Sequence, residues 1–165
     1  MTPILLDTGA IVALLDRSEA AHERCVETLR KIPGPLVTCE PAIAKSCYLL
    51  RNLPGASEAV IANVTAGIFQ IPFQLSRQSE AVRSILKKYR DRAIDLADAC
   101  LIRVAEEFAT EDLLTLDKNL TVYRWAGIRL FTYCPDRASQ FANATNTDIL
   151  WARPRAVRAH RSRAN

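Results

Sequence analysis

The chain has few of the residues on which several common kinds of site are built. It contains five glycines in 165 residues, and none of them belongs to a phosphate-binding loop of the G-x-G-x-x-G or G-x-x-x-x-G-K-[ST] type. Its two histidines, His22 and His160, leave little scope for a histidine-based zinc site or a serine triad. The sequence therefore argues against dinucleotide-binding proteins, P-loop proteins, histidine zinc enzymes and serine hydrolases.

Long apolar runs and paired cysteines are also missing. The longest stretch without a charged residue, residues 59–76, carries Asn63, Gln70, Pro72 and Gln74, which are unsuited to a membrane span. The five cysteines are an odd number without a C-x-x-C pair, which favours reduced thiols in a cytosol. We therefore expect a cytoplasmic protein that does not enter a membrane.

The net charge of +4 is concentrated at one end of the chain. Residues 135–165 contain six Arg against two Asp, whereas residues 1–134 contain equal numbers of basic and acidic side chains, so the extension accounts for the whole excess. The sequence after Cys134-Pro135 is also small, polar and finally arginine-rich. We predict one domain over residues 1–134 and a basic C-terminal extension over residues 135–165.

Short apolar runs alternate with amphipathic helical segments along residues 1–134. The pattern predicts strands at 4–6, 36–38, 70–73, 112–116 and 127–131, and helices at 10–15, 18–31, 41–51, 56–69, 77–90 and 95–108. No hairpin signal joins consecutive strands, which favours a parallel sheet covered by helices on both faces. The predicted fold class is α/β.

Four aspartates occupy positions suited to a metal site. Asp7 and Asp117 each follow a predicted strand, and Asp95 and Asp98 open a predicted helix three residues apart. Each of them alone is explained by helix capping. Together they should converge beyond the carboxyl ends of the strands, where parallel sheets bind ligands. Clustered carboxylates repel each other unless a cation neutralises them, and oxygen ligands suit Mg²⁺ or Mn²⁺, which support phosphodiester hydrolysis.

These aspartates lie in segments that resemble the motifs of PIN-domain proteins, especially VapC-type toxins. The segments are Leu5–Asp16, Asp95–Ile102 and Leu114–Asp117 with Val122-Tyr123-Arg124 behind it, and their order and spacing match over about residues 3–132. The resemblance implies a PIN-like three-layer α/β/α fold around a parallel sheet of about four or five strands. It also implies a metal-dependent endoribonuclease that hydrolyses RNA, forms a homodimer and is silenced by a cognate antitoxin protein.

The resemblance assigns roles to individual residues. Asp7, Asp98 and Asp117 would bind Mg²⁺ or Mn²⁺, and water activated there would attack the phosphorus in line. Asp95 would be an auxiliary catalytic acid. Thr8 and Thr115 would give polar support to the site.

One position departs from the family pattern. PIN proteins usually carry a glutamate early in the helix after the second strand, where this chain has Lys45. Glu40 is no substitute, because five residues rotate it about 140° away from that face of a helix. Two alternatives stay open. Lys45 either neutralises Asp7, Asp98 and Asp117, leaving a weak or inactive PIN module that binds RNA or a protein, or it extends into solvent while those acids hold one metal.

Overall fold

Five short strands pair in parallel within the part of the chain that the computed structural model describes, residues 2–31, 34–116 and 131–132. They are β1 (Ile4–Leu6), β2 (Leu36–Val37), β3 (Phe69–Gln70), β4 (Asp112–Leu114) and β5 (Phe131–Thr132), in the order β3-β2-β1-β4-β5. Leu5 in β1 lies opposite Val37 on one side and Leu113 on the other. The chain therefore builds the sheet outward from β1 in one direction, then crosses back to place β4 against β1, so the strand order reverses between these two strands.

Six helices cover this sheet within the described ranges. They are α1 (Thr8–Leu15), α2 (His22–Lys31), α3 (Glu40–Leu49), α4 (Ala56–Thr65), α5 (Leu75–Lys88) and α6 (Leu96–Phe108). α1 begins one residue after Asp7, and α6 begins one residue after Asp95. The starts of α1 and α6 therefore determine the positions of two predicted site aspartates, Asp7 and Asp95.

The side chains of β1 divide the hydrophobic core into two parts, because successive residues of a strand point to opposite faces. Ile4 and Leu6 pack into a cluster with residues of α1, α2 and α4. Leu5 packs into a second cluster with residues of α5 and α6. The sheet thus lies between two helical layers, which confirms the predicted three-layer α/β/α arrangement and explains why β1 is an unbroken apolar run.

The start of α2 differs from the predicted one. α2 begins at His22 rather than at Ser18. The carboxylate of Asp16 accepts hydrogen bonds from the backbone N–H of Ser18 at 2.9 Å and from its hydroxyl at 2.6 Å. This local competition holds residues 16–18 in a turn, so the helix is delayed.

The end of α4 also differs from the predicted one. The helix ends at Thr65 rather than at about Phe69. Gly67 has a φ of 73°, in the left-handed region, and the N–H of Ile68 donates to the carbonyl of Asn63 at 2.9 Å. A glycine in this conformation ends the helix, and β3 then begins at Phe69.

Two further points concern the cysteines and the possibility of membrane spans among the described residues. Cys25, Cys39, Cys47 and Cys100 are free thiols, and burial raises the pKa of Cys25 to about 11. None of the helices in the described ranges has the length and apolarity needed to cross a bilayer. Asp117, residues 127–130 of the fifth predicted strand and the extension 135–165 lie outside the described residues.

Candidate active site at the carboxyl ends of the strands

The residues that follow β1 and β4 meet where the strand order reverses. The backbone N–H of Asp7, which follows β1, donates to the carbonyl of Leu114 at 3.3 Å. Thr115, which follows β4, donates its hydroxyl to Oδ2 of Asp7. This is the place where open α/β sheets bind ligands. The structure therefore puts Asp7 and its predicted polar support Thr115 together at the expected edge.

The Asp7 carboxylate is a buried helix cap. Asp7 is only 4% exposed. Its Oδ1 accepts a hydrogen bond of 2.6 Å from the backbone N–H of Ala10, in the first turn of α1. Thr8, the other predicted supporting residue, is buried beside it as the first residue of α1. A carboxylate has about four acceptor positions, so capping and metal binding are compatible roles for Asp7.

Gly9 keeps space open next to this carboxylate. A Cβ placed at Gly9 would stand 3.5 Å from Oδ1 and 3.8 Å from Oδ2 of Asp7, and 3.6 Å from Cβ of Leu116. These are ordinary van der Waals distances, so a methyl group would fit, but it would lie against the carboxylate. Glycine at this position leaves a space beside the carboxylate that a methyl group would fill.

Asp95 and Asp98 cap the start of α6 reciprocally. The N–H of Asp98 donates to Oδ1 of Asp95 at 2.9 Å, and the N–H of Asp95 donates to Oδ2 of Asp98 at 3.1 Å. Asp95 is the N-cap residue and Asp98 is the third residue of the helix. The capping interpretation is therefore correct for both, and the capping bonds fix the orientation of both carboxylates.

Lys45 reaches this pair from α3. Its Nζ forms an ion pair with Oδ2 of Asp95, and the two side chains are 45% and 41% exposed. The pKa of Lys45 is raised by this hydrogen bond first, and the charges of Asp98 and Asp7 raise it further. The ion pair joins α3 to the start of α6, and the charges of Asp98 and Asp7 act on the same ammonium group from a greater distance.

The charge of Asp95 depends on the same contact. Burial alone would raise the pKa of Asp95, but the hydrogen bond from Lys45 and those from the backbone N–H groups of Asp98 and Ala97 outweigh burial. The pKa of Asp95 is therefore lowered. Asp95 is ionised at neutral pH and forms a fixed anionic partner for Lys45.

The structure changes the prediction for Lys45. Its direct partner is Asp95, which neither sequence-based alternative named, whereas Asp7 and Asp98 act on it only through their charges. Lys45 also does not extend freely into solvent, since slightly more than half of its side chain is covered. Glu40, at the start of α3, lines a surface groove of about 640 Å³ with residues that include Gln74 and Leu96.

The described residues supply part of a metal site. Among residues 2–31 and 34–116, no three histidine, cysteine or acidic side chains lie together closely enough to hold a metal ion by themselves. Asp117, the third predicted ligand, lies outside this part of the chain. The carboxylate oxygens of Asp7 and Asp98 are donors that suit a hard divalent cation, and Gly9 leaves room beside one of them. These oxygen donors fit a hard divalent cation such as Mg²⁺ or Mn²⁺.

Two features of the site were missed by the sequence-based argument. The role of Gly9 had a signal, since a glycine in the first turn after Asp7 is unusual in a helix. The pairing of Lys45 with Asp95 had none, because the two residues are 50 positions apart and belong to different helices.

Comparisons with known proteins agree with this fold. The model of the PIN domain family matches residues 4–126. Ribonuclease VapC26 of Mycobacterium tuberculosis is 28% identical over 135 residues, which cover 80% of this chain and all of that protein. The crystal structure of VapC20 from the same organism, described as a sarcin-ricin loop cleaving toxin, has a TM-score of 0.68 at 18% identity, covering 76% of this chain and 98% of that chain. This last likeness concerns the fold.

Replacing Asp95 should separate its capping role from its charge. Asp95→Ala removes the N-cap and the ion pair and should lower the free energy of unfolding by about 1–2 kcal/mol. Asp95→Asn keeps a good capping group, so it should cost at most about half as much. Urea unfolding at neutral pH measures both changes.

The pH dependence gives the control for this pair of variants. Because the folded-state pKa of Asp95 is lowered, its charge stabilises the fold above its unfolded pKa of about 3.9 and this stabilisation disappears as the pH falls through the folded pKa. The difference between wild type and Asp95→Asn should therefore be constant from about pH 5 to 8 and vanish at lower pH. A difference that persists unchanged in strong acid would contradict the charge argument.

Gly9→Ala should increase stability and weaken metal binding at the same time. Alanine in a helix is favoured over glycine by roughly 0.5–1 kcal/mol, and the new methyl group meets no clash. The same methyl group covers part of the Asp7 carboxylate. Thermal unfolding and Mn²⁺ titration check the two effects, and a variant that loses stability would show that the packing around Gly9 is misjudged.

Proposed function

The chain belongs to the PIN-domain family, and on that premise we propose that it is a metal-dependent endoribonuclease of the VapC toxin type, which hydrolyses phosphodiester bonds in RNA. The observation that carries the proposal is the position of the buried Asp7 carboxylate, which follows β1 at the point where the strand order reverses and accepts the hydroxyl of Thr115 from the end of β4. The relative named Ribonuclease VapC26 supports the nuclease activity, since it matches over its whole length.

The proposed cation site consists of Asp7 and Asp98, with Asp117 as the third ligand predicted from the sequence. Bound there, Mg²⁺ or Mn²⁺ would supply Lewis-acid chemistry for the activation of water and the stabilisation of a departing oxyanion. The chain contributes the preorganisation. The capping hydrogen bonds at Asp7 and Asp98 fix both carboxylates before any substrate arrives, so little reorganisation is needed during the reaction.

A catalytically weak or inactive PIN module is not favoured. That alternative depended on Lys45 neutralising the metal-binding acids themselves. The ion pair instead involves Asp95, the predicted auxiliary acid, and a half-exposed pair of this kind is weak enough to open.

The same family membership suggests the partners and the location. We propose RNA as the substrate, a cognate antitoxin protein as the inhibitor and a homodimer as the working form. A cytoplasmic location is supported by the odd number of cysteines without a C-x-x-C pair.

Asp98→Asn should abolish RNA cleavage without unfolding the protein. An amide oxygen can still accept from the N–H of Asp95, so the cap of α6 survives while the charged ligand is lost. We expect cleavage of RNA in the presence of Mn²⁺ to fall by roughly a hundredfold or more.

Asp112→Asn is the matched control for this assay. Asp112 is the exposed first residue of β4, at the end of the strand opposite to Thr115. Its substitution should leave the cleavage rate unchanged. Cleavage of RNA by Asp98→Asn at the rate of the wild type would reject the proposed site.

Lys45→Glu should tighten the binding of Mn²⁺. The substitution replaces a cation whose charge acts on Asp7 and Asp98 by an anion, so the attraction for a divalent ion should increase roughly tenfold or more at low ionic strength. Isothermal titration with Mn²⁺ measures the change, and Lys31→Glu, at the exposed end of α2, controls for net charge. Equal affinity in wild type and Lys45→Glu would show that Lys45 does not oppose metal binding.

A further inference from the structure

Lys45 is a cation at the edge of a site lined by carboxylates, and its ion pair with Asp95 can open. The side chains of Lys45 and Asp95 are 45% and 41% exposed. Ion pairs that are exposed to this degree contribute little to stability, because water competes for both groups. Another anion that reaches this edge can therefore replace Asp95 at little cost.

The two oxygens of Asp95 perform different tasks. Oδ1 accepts from the N–H of Asp98 at 2.9 Å and caps α6, whereas Oδ2 pairs with Lys45. The departure of Lys45 would leave the cap in place. The start of α6, and with it the position of Asp98, does not depend on the ion pair.

The chemistry of Lys45 suits a phosphate and excludes a metal. An ammonium group has three donors and no lone pair, so it cannot take over the metal-binding role of the glutamate that PIN proteins usually carry at this position. Lysine is a common phosphate ligand in proteins. A strand of RNA that enters this site brings phosphates toward Asp7 and Asp98, and an adjacent cation reduces the repulsion between these anions.

We propose that Lys45 binds a phosphate of the RNA substrate, exchanging Asp95 for that phosphate when RNA enters the site. The proposal rests on the ribonuclease function proposed above. A groove of about 640 Å³ lies beside the pair, since Ala44 and Leu96, the chain neighbours of Lys45 and Asp95, line it together with Glu40.

The test is RNA binding in EDTA, where the absence of divalent metal keeps the RNA intact. The fluorescence anisotropy of a labelled single-stranded RNA oligonucleotide is measured with wild type, Lys45→Gln and Lys45→Arg over a series of salt concentrations. Losing one phosphate contact should reduce the magnitude of the negative slope of log K, the RNA association constant, against log salt concentration by about 0.7. This change corresponds to roughly fivefold weaker binding at about 0.1 M salt. Lys45→Arg should retain most of the affinity, because arginine also donates to phosphate.

Lys31→Gln is the matched control, since Lys31 is an exposed lysine at the end of α2, just before the chain enters β2. It should bind RNA as the wild type does, and urea unfolding verifies that all variants are folded. Binding by Lys45→Gln with wild-type affinity and salt slope would overturn the proposal even where the wild type cleaves RNA. An equal loss in Lys31→Gln, or no binding by the wild type, would overturn it too. Binding that depends on Lys45, in a wild type that does not cleave RNA, would overturn only the ribonuclease function.

Discussion

The buried carboxylate of Asp7 is the constraint on which the rest of the site depends. A carboxylate that is almost fully buried must be satisfied by hydrogen bonds, and Asp7 receives them from the first turn of α1 and from Thr115 at the end of β4. These bonds join the helix that follows β1 to the strand beside it. The pairing of Leu6 with Leu114 places Thr115 beside Asp7, so a change of strand register would cost both core packing and the site.

The opposite side of the site is formed by two helices, α3 and α6, that are distant in sequence. Asp95 and Asp98 cap α6 and cannot move without uncapping it, whereas Lys45 extends from the middle of α3 to meet Asp95. One side of the ion pair is thus rigid and the other is a long flexible side chain. Lys45 is therefore the member of this pair that can change position while the cap of α6 stays in place.

The sequence allowed the layers and the position of Asp7 to be predicted, because both follow from local pattern. Buried parallel strands are short apolar runs, and a residue directly after such a run lies at the ligand-binding edge. The partner of Lys45 was not predictable from the sequence. It depends on the packing of α3 against α6, and on the capping bonds of α6, which occupy one oxygen of Asp95 and leave the other for Lys45. The delayed start of α2 was missed for a related reason: the side chain of Asp16 competes with the helix for the backbone of Ser18.

Capping and metal binding are often treated as competing explanations for an aspartate at the start of a helix, but at the proposed cation site they would support each other. A capping hydrogen bond fixes the rotamer of Asp7 or Asp98 and so determines where its oxygens lie. A divalent cation requires oxygens in defined positions, and carboxylates that are already fixed lose less entropy on binding it. It follows that alanine at these positions tests stability and chemistry together, whereas asparagine, which preserves the cap, isolates the contribution of the charge.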